Sequence, residues 1–168
     1  MGHASLMRLL TFLVFLLLAA CSVQPPRTES QSKDQLLANW GPPTARHGEP
    51  DGSERWIYSS GPWGFVVRVV VVGAEGRVLS FHNAMTEEEF ARVRPGLDGK
   101  EEILRRFGPP GWIQQFDRRK ELVWEWRYCD VWSYPARFNV LFDAESGVVR
   151  STLAVREDTG RWRTYCSR

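Results

Sequence analysis

Residues able to act as nucleophiles or metal ligands are few in this 168-residue chain: three cysteines and three histidines. His3 lies in the leading segment, His47 beside a turn signal and His82 near the end of an apolar stretch. None has carboxylates at a spacing that completes a zinc site, so His47 and His82 read as solvated surface residues. Neither Cys129 nor Cys166 has a histidine close by in sequence, which removes the base that a thiol nucleophile needs. No Gly-x-Ser-x-Gly elbow, phosphate loop or Cys-x-x-Cys pair occurs. The acidic run Glu87-Glu88-Glu89 complements the dipole of a first helical turn and calls for no substrate. The expectation is no enzyme, no cofactor and no metal.

Cys21 has a different setting. Met1 to Arg8 carries one firm positive charge, at Arg8, and Leu9 to Ala20 is apolar apart from Thr11. A helix of that length spans roughly 18 Å, short of the roughly 30 Å hydrocarbon core, so residues 1–20 read as a signal peptide rather than a membrane anchor. The end of the run, Leu18-Ala19-Ala20-Cys21, resembles the lipobox of bacterial lipoproteins. That resemblance implies lipidation at Cys21: the thiol takes a diacylglyceryl group, cleavage makes it the N-terminus, and palmitate-type acylation brings the chain count to three. Each buried CH₂ contributes about 0.8 kcal/mol, and more than one chain anchors stably. Ser22 replaces the Asp that retains enteric lipoproteins in the inner membrane, which points to the periplasmic face of the outer membrane.

Removing residues 1–20 leaves 21 basic and 20 acidic residues, a near balance that excludes nucleic acid as a partner. In an oxidising compartment the two remaining cysteines, Cys129 and Cys166, read first as a disulfide, with free thiols or partners in another molecule as the alternatives. Closing a loop of nearly 40 residues is worth roughly 4 kcal/mol by chain entropy. Residues 22–31 are polar with two prolines, a tether reaching about 33 Å at most, so 21–31 is the lipidated N-terminus and its spacer.

Beyond the tether the chain repeats. Leu36-Leu37-x-x-Trp40-Gly41-Pro42-Pro43 answers Ile103-Leu104-x-x-Phe107-Gly108-Pro109-Pro110, Trp56-Ile57-Tyr58 answers Trp126-Arg127-Tyr128, and Val72-Gly73-Ala74-Glu75-Gly76 answers Phe142-Asp143-Ala144-Glu145-Ser146-Gly147. Three matches in order indicate a duplication. Ser32-x-x-Gln35, Thr86-x-x-Glu89 and Asp98-x-x-Glu101 are capping-box-like helix starts, each opening a helix of two to three turns. Gly41 and Gly108 stop two of them where a left-handed residue is needed, and the prolines behind prevent continuation. Phe138, Val140 and Phe142 alternate with Arg137 and Asn139 as a half-buried strand, whereas Phe65 to Val72 is apolar nearly throughout and is covered on both faces or lies at a subunit contact. Turns are expected at Pro50-Asp51-Gly52, Gly73 to Gly76 and Asp143 to Gly147. Arg118-Arg119-Lys120 fits a hairpin tip, solvated or touching anionic headgroups. About 60 residues alone bury a marginal core, so the two units should pack together.

The pattern Phe90-x-x-Val93-x-x-Gly96-Leu97-x-x-x-x-Glu102-Ile103-x-x-x-Phe107-Gly108-x-Pro110, followed by Trp126-x-Tyr128 and Leu141-Phe142-Asp143-Ala144-Glu145-Ser146-Gly147, resembles the SmpA/OmlA (BamE) family of outer-membrane lipoproteins. In that family Met-Thr is usual where Leu97-Asp98 stands here, and the barrel-assembly member has one unit. The doubling is similar instead to β-lactamase inhibitor proteins. These resemblances imply an α+β fold of two tandem units, each with one or two short helices on a three- to four-stranded antiparallel sheet, over 32–85 and 86–158, with a tail at 159–168. They also imply a non-enzymatic lipoprotein that binds another envelope protein, in outer-membrane protein assembly or envelope maintenance. The alternative is a periplasmic inhibitor or ligand-binding module using an aromatic sheet face. The residues for such a face are Trp124, Trp126, Tyr128, Trp132 and Tyr134, joined by Trp63 from the matching position in the first unit. Core packing is the competing account for part of this cluster.

Overall fold

The computed structural model describes residues 31–157 and Cys166. The segments expected to be a signal peptide and a tether, with Cys21 between them, and the rest of the tail beyond residue 157 lie outside the described residues. The fold is α+β, with two tandem units. The first comprises α1 (Lys33–Trp40), β1 (Ala45–Gly48), β2 (Glu54–Ser59), β3 (Val67–Val72) and β4 (Val78–Asn83), whose strands form an antiparallel sheet in the order β1-β2-β3-β4. The second comprises α2 (Glu87–Phe90), α3 (Lys100–Phe107), β5 (Trp112–Phe116), β6 (Glu121–Cys129), β7 (Pro135–Asp143) and β8 (Val149–Arg156), with the order β5-β6-β7-β8.

The duplication extends to irregular details. α1 and α3 are both eight residues long, 67 positions apart. Each is followed by a glycine at positive φ, Gly41 at 73° and Gly108 at 68°, whose N–H donates to Leu37 O or Leu104 O. The ladder between the last two strands slips at Val71/Val72 in one unit and at Leu141/Phe142 in the other. The residue leading into each helix is tied to the last strand, since Val78 N–H donates to Gln31 O and Val149 N–H to Asp98 O.

Two of the three predicted helix starts form as read. Ser32 Oγ accepts from Gln35 N–H at 3.2 Å and Gln35 Oε1 accepts from Ser32 N–H at 3.0 Å, a complete capping box. Thr86 Oγ1 accepts from Glu89 N–H at 3.3 Å, but α2 lasts only one turn because Pro95 and Gly96 follow closely. The third differs. The N-cap of α3 is Gly99, without a side-chain cap, and Asp98 turns inward instead. Its carboxylate accepts from Arg94 N–H at 3.0 Å and from the Arg94 guanidinium at 2.7 and 2.9 Å, with Arg106 at 3.8 Å, and the residue is 2% exposed.

Burial by itself raises the Asp98 pKa, but the Arg94 amide and guanidinium and the Arg106 charge outweigh it and hold the carboxyl below its ordinary value of 3.8. A depressed folded pKa contributes stability above the unfolded value, and that stability is lost as pH falls through the folded value. Asp98→Asn is therefore expected to lose about 1–3 kcal/mol at pH 7, with the gap to wild type narrowing below pH 4. Urea midpoints at pH 7 and pH 3 check this, and equal gaps at both would contradict it.

The layers run α1, first sheet, α2 with α3, second sheet. Leu36 of α1 covers Trp56, Val70, Val72 and Val78 on one face of the first sheet. The opposite face, with Ile57, Val67 and Val69, packs on Ile103 and Phe107 of α3. Those helices also cover Trp124, Trp126, Tyr128, Phe138, Val140 and Phe142 of the second sheet. β3 thus has helices on both sides, which is why its sequence is apolar on both faces. Phe90 stacks on Phe138 at 3.8 Å between ring centres, and Phe107 meets Phe90, Trp126 and Phe138 at 5.3–6.0 Å. Glu49 of the first unit binds Arg55 at 2.9 Å and Arg105 of α3 at 2.8 Å, so charge also bridges the units.

Candidate functional site

Cys129 and Cys166 form a disulfide, with Cα atoms 5.9 Å apart. The bond joins the end of β6 to the C-terminal tail, and Cys166 N–H donates to Ser133 O at 2.9 Å. Cys21 lies outside the described residues.

The predicted aromatic surface divides. Trp124, Trp126 and Tyr128 are core, at 7%, 3% and 3% exposure, and form no binding surface. They alternate on β6 toward the α2/α3 layer, and Trp126 Nε1–H is satisfied by Pro109 O at 3.1 Å. Burying three large rings under helices is favoured over exposing them, and the face opposite takes the charges. Trp63 and Trp132 are 75% and 70% exposed. They stand in the corresponding β2–β3 and β6–β7 connections of the two units rather than lining one sheet face. Tyr134 is half-buried, with the Arg156 guanidinium 4.6 Å from its ring centre.

The β6–β7 connection is firmly built. Asp130 accepts from the N–H groups of Trp132 and Tyr134 at 2.9 and 2.8 Å and from the Arg156 guanidinium. Its backbone exchanges hydrogen bonds with Tyr134 O and Ser133 N–H. Burial raises the Asp130 pKa, yet these donors outweigh it and keep the carboxyl below its usual range. Ser133 takes φ 63°, closing the turn. The result is a braced tip that presents Val131, 66% exposed, and Trp132 to solvent. Beside it a recess of about 410 Å³ opens between the units, with Phe65, Val66, Phe81 and Val131 on its walls.

Sequence reasoning missed a groove on the outer face of the second sheet. Trp112, 61% exposed, stands on edge strand β5 opposite Glu125, and Glu125, Arg127 and Arg137 occupy the solvent face of β6 and β7. Glu157 accepts from Arg127 at 2.7 and 2.8 Å and from Arg137 at 3.2 Å. The Arg127 hydrogen bonds are the main reason its carboxyl lies below the ordinary range, against the opposing effect of burial. The strict alternation of Trp124, Trp126 and Tyr128 with Glu125 and Arg127 was the available signal. It marks two faces without saying which one a helix will cover.

Among the described residues no group of three His, Cys, Asp or Glu, with His47 or His82 or without them, could hold a metal ion. His82 is part-buried beside Val69 rather than fully solvated, and desolvation lowers its pKa. Lys120, at the predicted basic hairpin tip, pairs with Glu145 at 2.7 Å. No helix among the described residues is long and apolar enough to cross a membrane.

No protein-family model matches this chain, and no curated protein does. A solved structure of an extracellular protein containing an SCP domain, from Bacillus anthracis str. Ames, is similar at 16% identity with a TM-score of 0.28, over 83% of this chain and 50% of that one. The chain thus spans half the length of that protein, and the likeness is too slight to bear on fold or activity.

Proposed function

We propose that this chain is a non-enzymatic lipoprotein, held by Cys21 at the periplasmic face of the outer membrane, that binds another envelope protein. The setting is outer-membrane protein assembly or maintenance of the envelope. Leu18-Ala19-Ala20-Cys21 and the BamE-like helix and strand pattern of the second unit support the setting. The observation that carries the binding reading is the braced tip with Val131 and Trp132 exposed. A solvated indole gains nothing for the fold. On a loop already fixed by Asp130 and a disulfide it forms an anchor whose ordering cost is met before a partner arrives. The adjoining recess walled by Phe65, Val66 and Phe81 extends the apolar contact area.

Deleting the gene and restoring it with wild type or Trp132→Ala tests this. The deletion strain is expected to leak large antibiotics, and the Trp132→Ala protein, folded because the side chain is exposed, is expected to restore the barrier poorly. Wild type should co-purify with integral outer-membrane proteins or their assembly factors. An intact barrier together with co-purification of one soluble periplasmic enzyme would contradict the proposal and favour an inhibitor. Cys21→Ala should leave unprocessed or soluble protein, and normal membrane residence with acylation of that variant would remove the anchor.

A further inference from the structure

The groove on the outer face of the second sheet holds about 490 Å³ and belongs to neither unit alone. Its lining includes Trp63, delivered by the β2–β3 loop of the first unit, and Trp112, on β5 of the second. The loop is fixed in place. Arg127 Nη1 donates to Trp63 O at 3.0 Å, and the same guanidinium lies 4.3 Å from the Phe65 ring centre. A Cβ on Gly111 would stand 2.7 Å from Pro62 O, so only glycine lets the loop lie this close. Two large aromatic side chains, 75% and 61% exposed, thereby border the same polar floor.

The floor limits what can bind. Arg127, Arg137, Glu125 and Glu157 carry no net charge together and are already paired with one another. An anionic ligand would lose to the two carboxylates what it gained from the two guanidiniums, and a cationic one the reverse. A purely apolar ligand would strand these charges without water. What suits the site is a neutral molecule with apolar C–H faces for the indoles and hydroxyls for the remaining donor and acceptor capacity of Arg137, Glu125 and Glu157. The groove crosses the sheet from β5 toward the end of β8, three strand spacings or roughly 14 Å, about the length of three linked pyranose rings. We propose that this groove binds a neutral glycan segment of two to three sugar rings. The proposal is independent of the Trp132 tip.

Titrating the full-length protein with chitotriose, cellotriose and maltotriose tests it, read by tryptophan fluorescence and calorimetry. At least one trisaccharide is expected to bind with a Kd of about 0.1–1 mM, and its monosaccharide at least about tenfold more weakly. Trp63→Ala and Trp112→Ala should each weaken binding about tenfold or more, while Trp132→Ala leaves it unchanged. Both indoles are exposed, so these variants keep the fold, which circular dichroism verifies. Gly111→Ala should weaken binding too, by pushing the loop off the sheet. No response to any trisaccharide up to about 10 mM, or undiminished binding by the Trp63→Ala/Trp112→Ala double variant, would overturn the proposal. A monosaccharide binding as tightly as its trimer would also overturn it.

Discussion

Phe107→Ala is expected to destabilise the whole protein by about 3–5 kcal/mol, the range for emptying a phenylalanine site in a close-packed core. Phe107 is fully buried at the end of α3, between the two sheets. Its ring meets Phe90, Trp126 and Phe138, and the same cluster includes Ile57, Val67 and Val69 of the first unit. The cavity therefore opens in a core shared by both units, and no single sheet can relax to fill it. Because small domains are stable by only about 5–15 kcal/mol, the loss takes a large share. Urea unfolding followed by circular dichroism and tryptophan fluorescence should show one transition at a lower midpoint, with both probes coincident. Two separated transitions, with the first unit keeping its wild-type midpoint, would show that the units do not share a core.

Opening the Cys129–Cys166 disulfide is the second large effect. The two positions are 37 residues apart in sequence, and the chain-entropy argument puts the stabilisation from such a loop at about 4 kcal/mol. Loss of the bond frees the tail from Ser133 O and removes one brace of the β6–β7 tip. The Cys129→Ser/Cys166→Ser variant should therefore unfold at a markedly lower urea midpoint than the oxidised wild type. Amide exchange at Trp132 and Tyr134 should accelerate more than at Val140 in the centre of β7. An unchanged midpoint, or two titratable thiols in the unreduced wild type, would contradict this.

Much of the fold was legible because it is written in local chemistry. Ser32 with Gln35 opens α1, Gly41 and Gly108 close α1 and α3, and Phe138, Val140 and Phe142 fall on the buried face of β7 as their alternation requires. The apolar length of β3 also gave its answer, since helices cover both faces. What escaped depended on contacts between residues far apart. Asp98 satisfies every local rule for an N-cap, but its carbonyl is held by Val149 and its carboxylate by Arg94, so Gly99 takes that position. Trp124, Trp126 and Tyr128 looked like interface residues by type, and only the placement of α2 and α3 decides that their face is the core. The groove was invisible for the same reason. Arg127 and Trp63 lie 64 positions apart and meet only when the units dock.

Trp132 is the proposed point of contact with a neighbouring envelope protein. A photoreactive amino acid placed at position 132 in living cells, compared with one at Glu75 in the β3–β4 turn, tests this directly. The expected result is a discrete adduct from position 132 to an integral outer-membrane protein or its assembly factor, absent from position 75. Adducts of equal yield and pattern from both positions, or none from position 132 with the protein present at normal abundance, would contradict it.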